Sequence, residues 1–170
     1  CIIGTLYGDD EAKAEIAKWC DIAKVLHDLK GARIGLMGHT MEAMYDMNAD
    51  PTAISAAFGL HVPFLEVDDV IELYNEVTEE EIADKIKVID SEFDMPEPKS
   101  DPVTSKLTDA DKYQAAKSAV ALDKFVEKYN LTGLAYYYEG KEDTIQRKAA
   151  TTLIVGNSIL NAQGIPMCGE

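Results

Sequence analysis

Two short stretches carry side chains able to do chemistry at points where a buried strand is predicted to end. Glu170 follows an apolar run at 165–168, and Gly169 lets the backbone come close to whatever the carboxylate meets. This placement is expected of a ligand for a hard metal ion or of an acid/base group. A solvated surface carboxylate is the alternative, and the residue pattern leaves both open.

The second stretch is His39, Thr40 and Met41, directly after a predicted strand at 32–37. In an open α/β sheet, ligands bind outside the carboxyl ends of the strands. We therefore expect His39, with Thr40 and Met41 beside it, to lie where a sugar hydroxyl could be hydrogen-bonded. The alternative is a loop histidine bonded to a backbone carbonyl, with Met41 filling the core.

The elements that must position these groups alternate between strand and helix. Their order predicts a doubly wound, mostly parallel sheet of four or five strands with helices on both faces, of the flavodoxin or Rossmann type. Asp50-Pro51 and the capping boxes opened by Thr78 and Thr108 mark three helix starts. Strands are predicted at 1–7, 32–37, 61–67, 131–138 and 165–168, and helices at 11–29, 52–58, 70–77, 79–93 and 109–129, with a single last helix ending at Gly164.

Composition limits the class of protein. The 170 residues fit a single α/β domain, 1–170, with an exposed proline-rich loop at about 94–107. A net charge of −15 argues against nucleic acid and anionic membrane surfaces as partners. Three scattered cysteines and the lack of a signal or membrane-spanning segment indicate a cytoplasmic protein. Nucleophile elbow, Walker loop, HExxH and GxGxxG motifs are all missing from the sequence.

Several motifs together carry a family resemblance. They are the run from His27 to Gly38, the loop holding Met41, and the segments 134–138, 154–160 and 164–170. Over residues 4–77 and along this tail, the chain resembles the central domain of the L-arabinose isomerase and L-fucose isomerase superfamily. The resemblance is closer to the arabinose-isomerase-like branch.

The resemblance implies an aldose–ketose isomerase that works through an enediol, with a divalent cation, usually Mn²⁺, held by two carboxylates and two histidines. Glu170 matches the first metal carboxylate, which also takes part in proton transfer, and Met41 matches a residue lining the substrate pocket. His39 and Thr40 replace the Asp-Asn pair common in the family, which leaves the sugar open. The other metal ligands would lie beyond Glu170, so we expect the isolated chain to be an inactive piece of a larger enzyme. Family members are oligomers, and we expect a homo-oligomeric parent.

Two other functions stay open at this point. One is a non-catalytic α/β sugar-binding or sensory domain, which would bind sugar without metal. The other is a flavodoxin-like or dinucleotide-binding domain, which would respond to a flavin or nicotinamide.

Overall fold

Helices and strands alternate along the chain in a computed structural model that describes residues 7–41, 43–44, 48–94 and 101–169. The predicted strand at 1–7 lies outside the described residues except for Tyr7, and Glu170 also lies outside them. The elements in chain order are α1 (Asp10–Gly31), β1 (Ile34–Gly38), α2 (Pro51–Phe58), β2 (Phe64–Leu65), α3 (Val67–Asn75), α4 (Glu79–Glu92), α5 (Asp109–Lys128), β3 (Gly133–Tyr137), α6 (Ile145–Thr151), α7 (Ile154–Ala162) and β4 (Met167–Gly169).

The four described strands form one parallel sheet in the order β2-β1-β3-β4. The chain therefore moves from β1 to β2 on one side, returns to β3 on the other side of β1, and continues outward to β4. This reversal is the topology of a doubly wound α/β fold, so the predicted fold class is confirmed. No helix in the described ranges combines the length and apolar character needed to span a membrane.

The chain divides into two compact units, each described by itself. The first contains α1 and α2. Asp9 accepts a hydrogen bond from Ala12 N (2.9 Å) at the start of α1. Asp50 accepts from Thr52 N (2.8 Å) at the start of α2, and Gly59 ends α2 with a left-handed φ of 77°. These starts and stops were all readable from the sequence.

The second unit contains the sheet and the remaining helices. One face of the sheet is buried against helices, because alternate residues of β1, β3 and β4 point to the same side. Leu122 and Phe125 of α5 are fully buried at its centre. The core combines Met37, Leu65, Leu134, Tyr136 and Met167 of the sheet with side chains of α3, α4, α5, α6 and α7.

Both predicted capping boxes are present. Thr78 accepts a hydrogen bond from Glu81 N (3.3 Å), and Glu81 accepts one from Thr78 N (2.8 Å). Thr108 and Asp111 make the same reciprocal pair at the start of α5. Each pair satisfies two backbone N–H groups that the helix itself leaves without partners.

Some predicted boundaries are wrong for physical reasons. The strand predicted at 61–67 is reduced to Phe64–Leu65, because Pro63 has no N–H to donate and Val67 already begins α3. The helix predicted at 70–77 begins at Val67, and Glu66 precedes it without a side-chain cap. Of the predicted loop at 94–107, residues 95–100 lie outside the described residues, and Thr104–Lys106 form a short 3₁₀ helix.

The single last helix of the prediction is two helices. Thr144 caps the start of α6, and Thr152 directly follows the last residue of this helix. The Oγ1 of Thr152 donates back to Lys148 O (2.9 Å) and lies 2.5 Å from Ser118 Oγ on α5. A threonine that bonds its own helix backbone weakens continuation of that helix. The predicted helix end at Gly164 is confirmed, and Gly164 adopts a left-handed φ of 85° just after α7.

The short strand β4 is held on both of its edges. Leu134 N of β3 donates to Pro166 O (3.0 Å), so in a parallel ladder Met167 directs its own N–H and C=O away from β3. The side-chain amide of Asn161 on α7 hydrogen-bonds both of these backbone groups: it accepts from Met167 N (2.9 Å) and donates to Met167 O (3.1 Å). The amide therefore fixes the position of β4 beside β3.

Candidate functional site

The carboxyl ends of β1 and β3 meet where the strand order reverses, which is where ligands bind in open α/β sheets. Gly38 ends β1 with φ at 86°, and a Cβ there would overlap the carbonyl oxygen of Tyr137. Only glycine permits this close approach. His39 N then donates to Tyr137 O (3.1 Å), which ties the end of β1 to the end of β3.

The three predicted substrate-binding residues follow this junction. The exposed His39 ring packs edge-on against Tyr137, with ring centroids 5.1 Å apart, and lies 6.0 Å from the ring of Tyr138. Its Nδ1 lies 3.2 Å from Thr40 O, so the backbone hydrogen bond of the simpler interpretation is present. Thr40 is exposed and Met41 is half-buried. Their binding to a substrate stays a prediction.

An open cleft of about 440 Å³ lies beside the carboxyl ends of β3 and β4. The consecutive residues Tyr136, Tyr137 and Tyr138 form one wall, although alternation along a strand sends the first to the core and the second away from it. The cleft mixes aromatic surface with hydroxyl groups, a combination that suits a small polar ligand with apolar faces. Its other lining residues are Glu139, Arg147, Ala150, Thr151, Ile154 and Gly169.

Tyr136 is fixed from two sides. Its hydroxyl accepts a hydrogen bond from Nδ2 of Asn157 on α7 (2.8 Å), and Gly169 lies so close to its ring that a Cβ at Gly169 would overlap the ring. Burial raises the pKa of the Tyr136 phenol, and donation from Asn157 partly offsets the rise. Tyr136 therefore stays protonated near neutral pH and couples α7 to the end of β4.

Arg147 lies in the first turns of α6. Its N donates to Thr144 Oγ1 (3.3 Å), and its carbonyl accepts from Thr151 Oγ1 (2.9 Å). The side chain is half-buried and reaches both the first cleft and a second, open cleft of about 610 Å³. The second cleft is lined by Tyr74, Asp143, Thr144, Ile145, Arg147, Lys148 and Thr151.

Comparison with known proteins decides the family. The family model described as the L-arabinose isomerase central domain matches residues 33–149. The chain belongs to this family. It is 25% identical over 138 residues to the L-arabinose isomerase of Pediococcus pentosaceus and 22% identical over 144 residues to that of Bacillus subtilis, and each alignment covers 81% of the chain. The chain spans 28% and 27% of the length of these two relatives.

The matched region of this arabinose isomerase central domain contains most of the geometry just described. It begins at the start of β1 and runs through β3 into α6, so it includes His39, the three tyrosines and Arg147. The remaining lining residues follow in the chain: Ala150 and Thr151 at the end of α6, Ile154 of α7 and Gly169 of β4. The resemblance to the arabinose-isomerase-like branch is therefore confirmed.

A metal centre is not assembled by the described residues of the domain. Within 7–41, 43–44, 48–94 and 101–169, no group of three or more histidine, cysteine or acidic side chains has the arrangement to hold a metal ion. The predicted metal carboxylate, Glu170, lies outside the described residues. Its neighbour Gly169 lines the cleft, so the predicted ligand directly follows a cleft residue in the chain.

Sequence reasoning missed two features of the cleft. The roles of Asn157 and Arg147 were not predicted. Asn157 is a polar residue inside the apolar segment 153–160, and this interruption is the signal that could have marked it as a buried hydrogen-bonding group. Arg147 is one of only two arginines in the chain, but nothing local in the sequence says whether its charge is paired.

Proposed function

We propose that this chain is the central domain of a metal-dependent aldose–ketose isomerase that acts on L-arabinose or a related sugar through an enediol. The observation that carries the proposal is the family match over 33–149, which includes the junction of β1 and β3 and most of the cleft beside it. Fold alone would not support an activity, since doubly wound sheets host many functions.

The cleft has the chemistry that an open-chain sugar requires. The hydroxyl of Tyr138 can donate to and accept from sugar hydroxyls, and that of Thr151, which donates to its own helix backbone, can accept from them. The tyrosine rings offer apolar surface to the C–H faces of the sugar. His39 stands against Tyr137 and Tyr138 at the same edge of the sheet. In this proposal the domain forms one wall of the sugar site.

The reaction moves one hydrogen from C2 to C1 and one proton from O2 to O1. Removing the C2 proton of the aldose and adding a proton to O1 gives the enediol; adding a proton to C1 and removing the one on O2 gives the ketose, with no net oxidation. Following the family resemblance, Glu170 is proposed as a ligand of the catalytic Mn²⁺ and as a proton carrier. The cation would supply Lewis acidity at O1 and O2 of the sugar.

The described residues offer no other ligand set for the cation. Following the family resemblance, we propose that the isolated 170 residues are inactive and that the active protein is a cytoplasmic homo-oligomer in which further groups complete the site.

The test is isomerase turnover by the full-length protein on L-arabinose, L-fucose and D-arabinose, with and without Mn²⁺. We expect metal-dependent ketose formation from at least one sugar, and its loss in Glu170→Gln. The matched control is Glu92→Gln, which makes the same change at an exposed carboxylate ending α4 and should leave turnover unchanged.

Two outcomes would contradict the proposal. Sugar binding without any ketose, whatever the metal, would favour a non-catalytic sugar-binding domain. Equal activity in Glu170→Gln and Glu92→Gln would remove Glu170 from the mechanism.

A further inference from the structure

The two arginines of the chain are in different situations. The Nε of Arg33 donates to Tyr129 O (3.1 Å) and so holds the turn after α5. In the part of the chain that the structure describes, the guanidinium of Arg147 makes no hydrogen bond or ion pair. This lack is unexpected in a chain with 31 acidic residues against 16 basic ones, where carboxylates are plentiful.

The position of Arg147 makes its unpaired charge significant. The side chain is half-buried and lies between the two clefts, lining both. A guanidinium stays charged at any physiological pH and offers five N–H donors in a planar fork that matches the geometry of a carboxylate or phosphate. Partial burial removes some of the water that would otherwise satisfy these donors, so a bound anion gains more there than at an exposed cation.

The backbone beneath this side chain is fixed. Thr144 accepts from Arg147 N and Thr151 donates to Arg147 O, so the arginine projects from a defined point of α6. A prepared donor loses less conformational freedom on binding than one carried by a loose segment.

Among the described residues, the acidic groups near Arg147 leave its guanidinium available. Glu139 lines the first cleft, and its carboxylate accepts a hydrogen bond from Tyr137 (3.0 Å). Asp143 lines the second cleft, is exposed, and makes no ion pair with Arg147. Asp68 on α3 accepts from Gln146 (3.0 Å).

Further positive charge lies beside the second cleft. Lys148 lines it next to Arg147, and Lys117 stands 4.4 Å from the ring centre of Tyr74, another lining residue. A local cationic region of this kind attracts anions that the net charge of −15 repels elsewhere. Lys148 and Lys117 therefore add to the positive charge of Arg147 in this region.

We propose that Arg147 binds the anionic group of a sugar acid or sugar phosphate whose hydroxyls lie along the tyrosine wall of the first cleft. The inference rests on the proposed function and deepens it, because it adds aldoses that carry a carboxylate or phosphate to the related sugars that the site could bind. The hydroxyls of Tyr138 and Thr151 form hydrogen bonds with the sugar hydroxyls, and the guanidinium binds the carboxylate or phosphate.

Because the chain contains only two arginines, anion binding to Arg147 can be followed by its own NMR signal. A ¹H–¹⁵N spectrum of the chain contains two arginine Nε–Hε signals, and Arg147→Lys identifies which belongs to Arg147. The chain is titrated separately with D-glucuronate, D-arabinose 5-phosphate, L-arabinose and inorganic phosphate. We expect a saturable shift of the Arg147 signal with one or both anionic sugars, at concentrations where L-arabinose and inorganic phosphate move it little, while the Arg33 signal stays in place.

The two anionic sugars distinguish a carboxylate site from a phosphate site. Arg147→Gln should weaken binding of the preferred sugar by about tenfold to hundredfold, the range expected for loss of a charge-assisted hydrogen bond. Lys106→Gln is the matched control, since it removes one positive charge at an exposed position in the 3₁₀ helix Thr104–Lys106 and should leave affinity unchanged.

Three results would overturn the inference: an Arg147 signal unmoved by either anionic sugar, a response to inorganic phosphate as strong as to the sugars, or equal affinity in Arg147→Gln and Lys106→Gln. These results are separate from the isomerase assay. A full-length protein that isomerises L-arabinose while the Arg147 signal stays still would refute the anion site and leave the proposed function intact. A shifted Arg147 signal in a full-length protein without isomerase activity would support the anion site and refute the proposed function.

Discussion

Removing a single hydroxyl, in Tyr136→Phe, should destabilise the second unit out of proportion to the size of the change. Asn157 is 4% exposed, and its Nδ2 donates to the Tyr136 hydroxyl at 2.8 Å. Its Oδ1 has no hydrogen-bond partner in the described part of the chain. The substitution would leave a buried amide unpaired at both ends, and such groups cost about 1–3 kcal/mol. We expect a loss of unfolding free energy in that range.

The companion substitution should be milder. Asn157→Leu replaces the amide with an apolar group of similar size and so removes the unpaired Oδ1. The Tyr136 hydroxyl, on a buried side chain, loses its donor. We expect a loss of about 1 kcal/mol, at the low end of the cost of an unpaired group, because one polar atom and not a whole amide is left without a partner. In the Asn157→Leu background, Tyr136→Phe should then have little further effect.

The assay is urea unfolding followed by far-ultraviolet circular dichroism, with the four proteins forming a double-mutant cycle. Fluorescence is unsuitable, because Trp19 lies on α1 in the other unit. Tyr113→Phe is the matched control: it removes a hydroxyl that donates to Glu79 at 2.6 Å on the surface, and should change stability by less than about 0.5 kcal/mol. If Tyr136→Phe cost no more than this control, or cost the same with and without Asn157, the reasoning would be refuted.

Two further predictions concern α5 and its neighbours. A Cβ in Gly156→Ala would stand 3.0 Å from Ala119 Cα, so overpacking against backbone should outweigh the helix-propensity gain and give a net loss of about 1 kcal/mol in urea unfolding, whereas the exposed Ser158→Ala should not destabilise. The pKa of Glu81 is lowered from 4.5 to about 2, chiefly by a hydrogen bond from Lys124, so its stabilising contribution is present above pH 4.5 and is lost as the pH falls toward 2. The original chain should therefore unfold with a higher free energy than Glu81→Gln above pH 4.5, and this difference should shrink as the pH falls toward 2. A difference that stays constant over this pH interval would contradict the stabilising role of the Glu81 carboxylate.

Local signals in the sequence predicted much of the fold. Asp50 and the capping boxes at Thr78 and Thr108 act within a few residues of themselves, so their patterns are sufficient. The break between α6 and α7 was not predictable in the same way. It involves Thr152, which meets Ser118 of α5, 34 residues earlier in the chain.

The candidate site likewise combines features that the local sequence predicts with features that only tertiary packing sets. Its place at the carboxyl ends of the strands follows from the strand and helix order. His39 follows β1 as the strand prediction implied, and its role in binding stays a prediction. The Tyr136–Asn157 hydrogen bond joins residues 21 apart on different elements. The availability of Arg147 depends on where every nearby carboxylate lies. Such features are set by tertiary packing, which a pattern of residue types does not contain.

The side-chain amide of Asn161 also affects how the domain can associate. β4 is at the end of the order of the described strands, and an end strand with free N–H and C=O groups can recruit a strand from another molecule. By occupying both backbone groups of Met167, Asn161 closes that position to such pairing. The residue that anchors β4 thus also protects the sheet from edge-to-edge aggregation, and engineering of this domain should keep it.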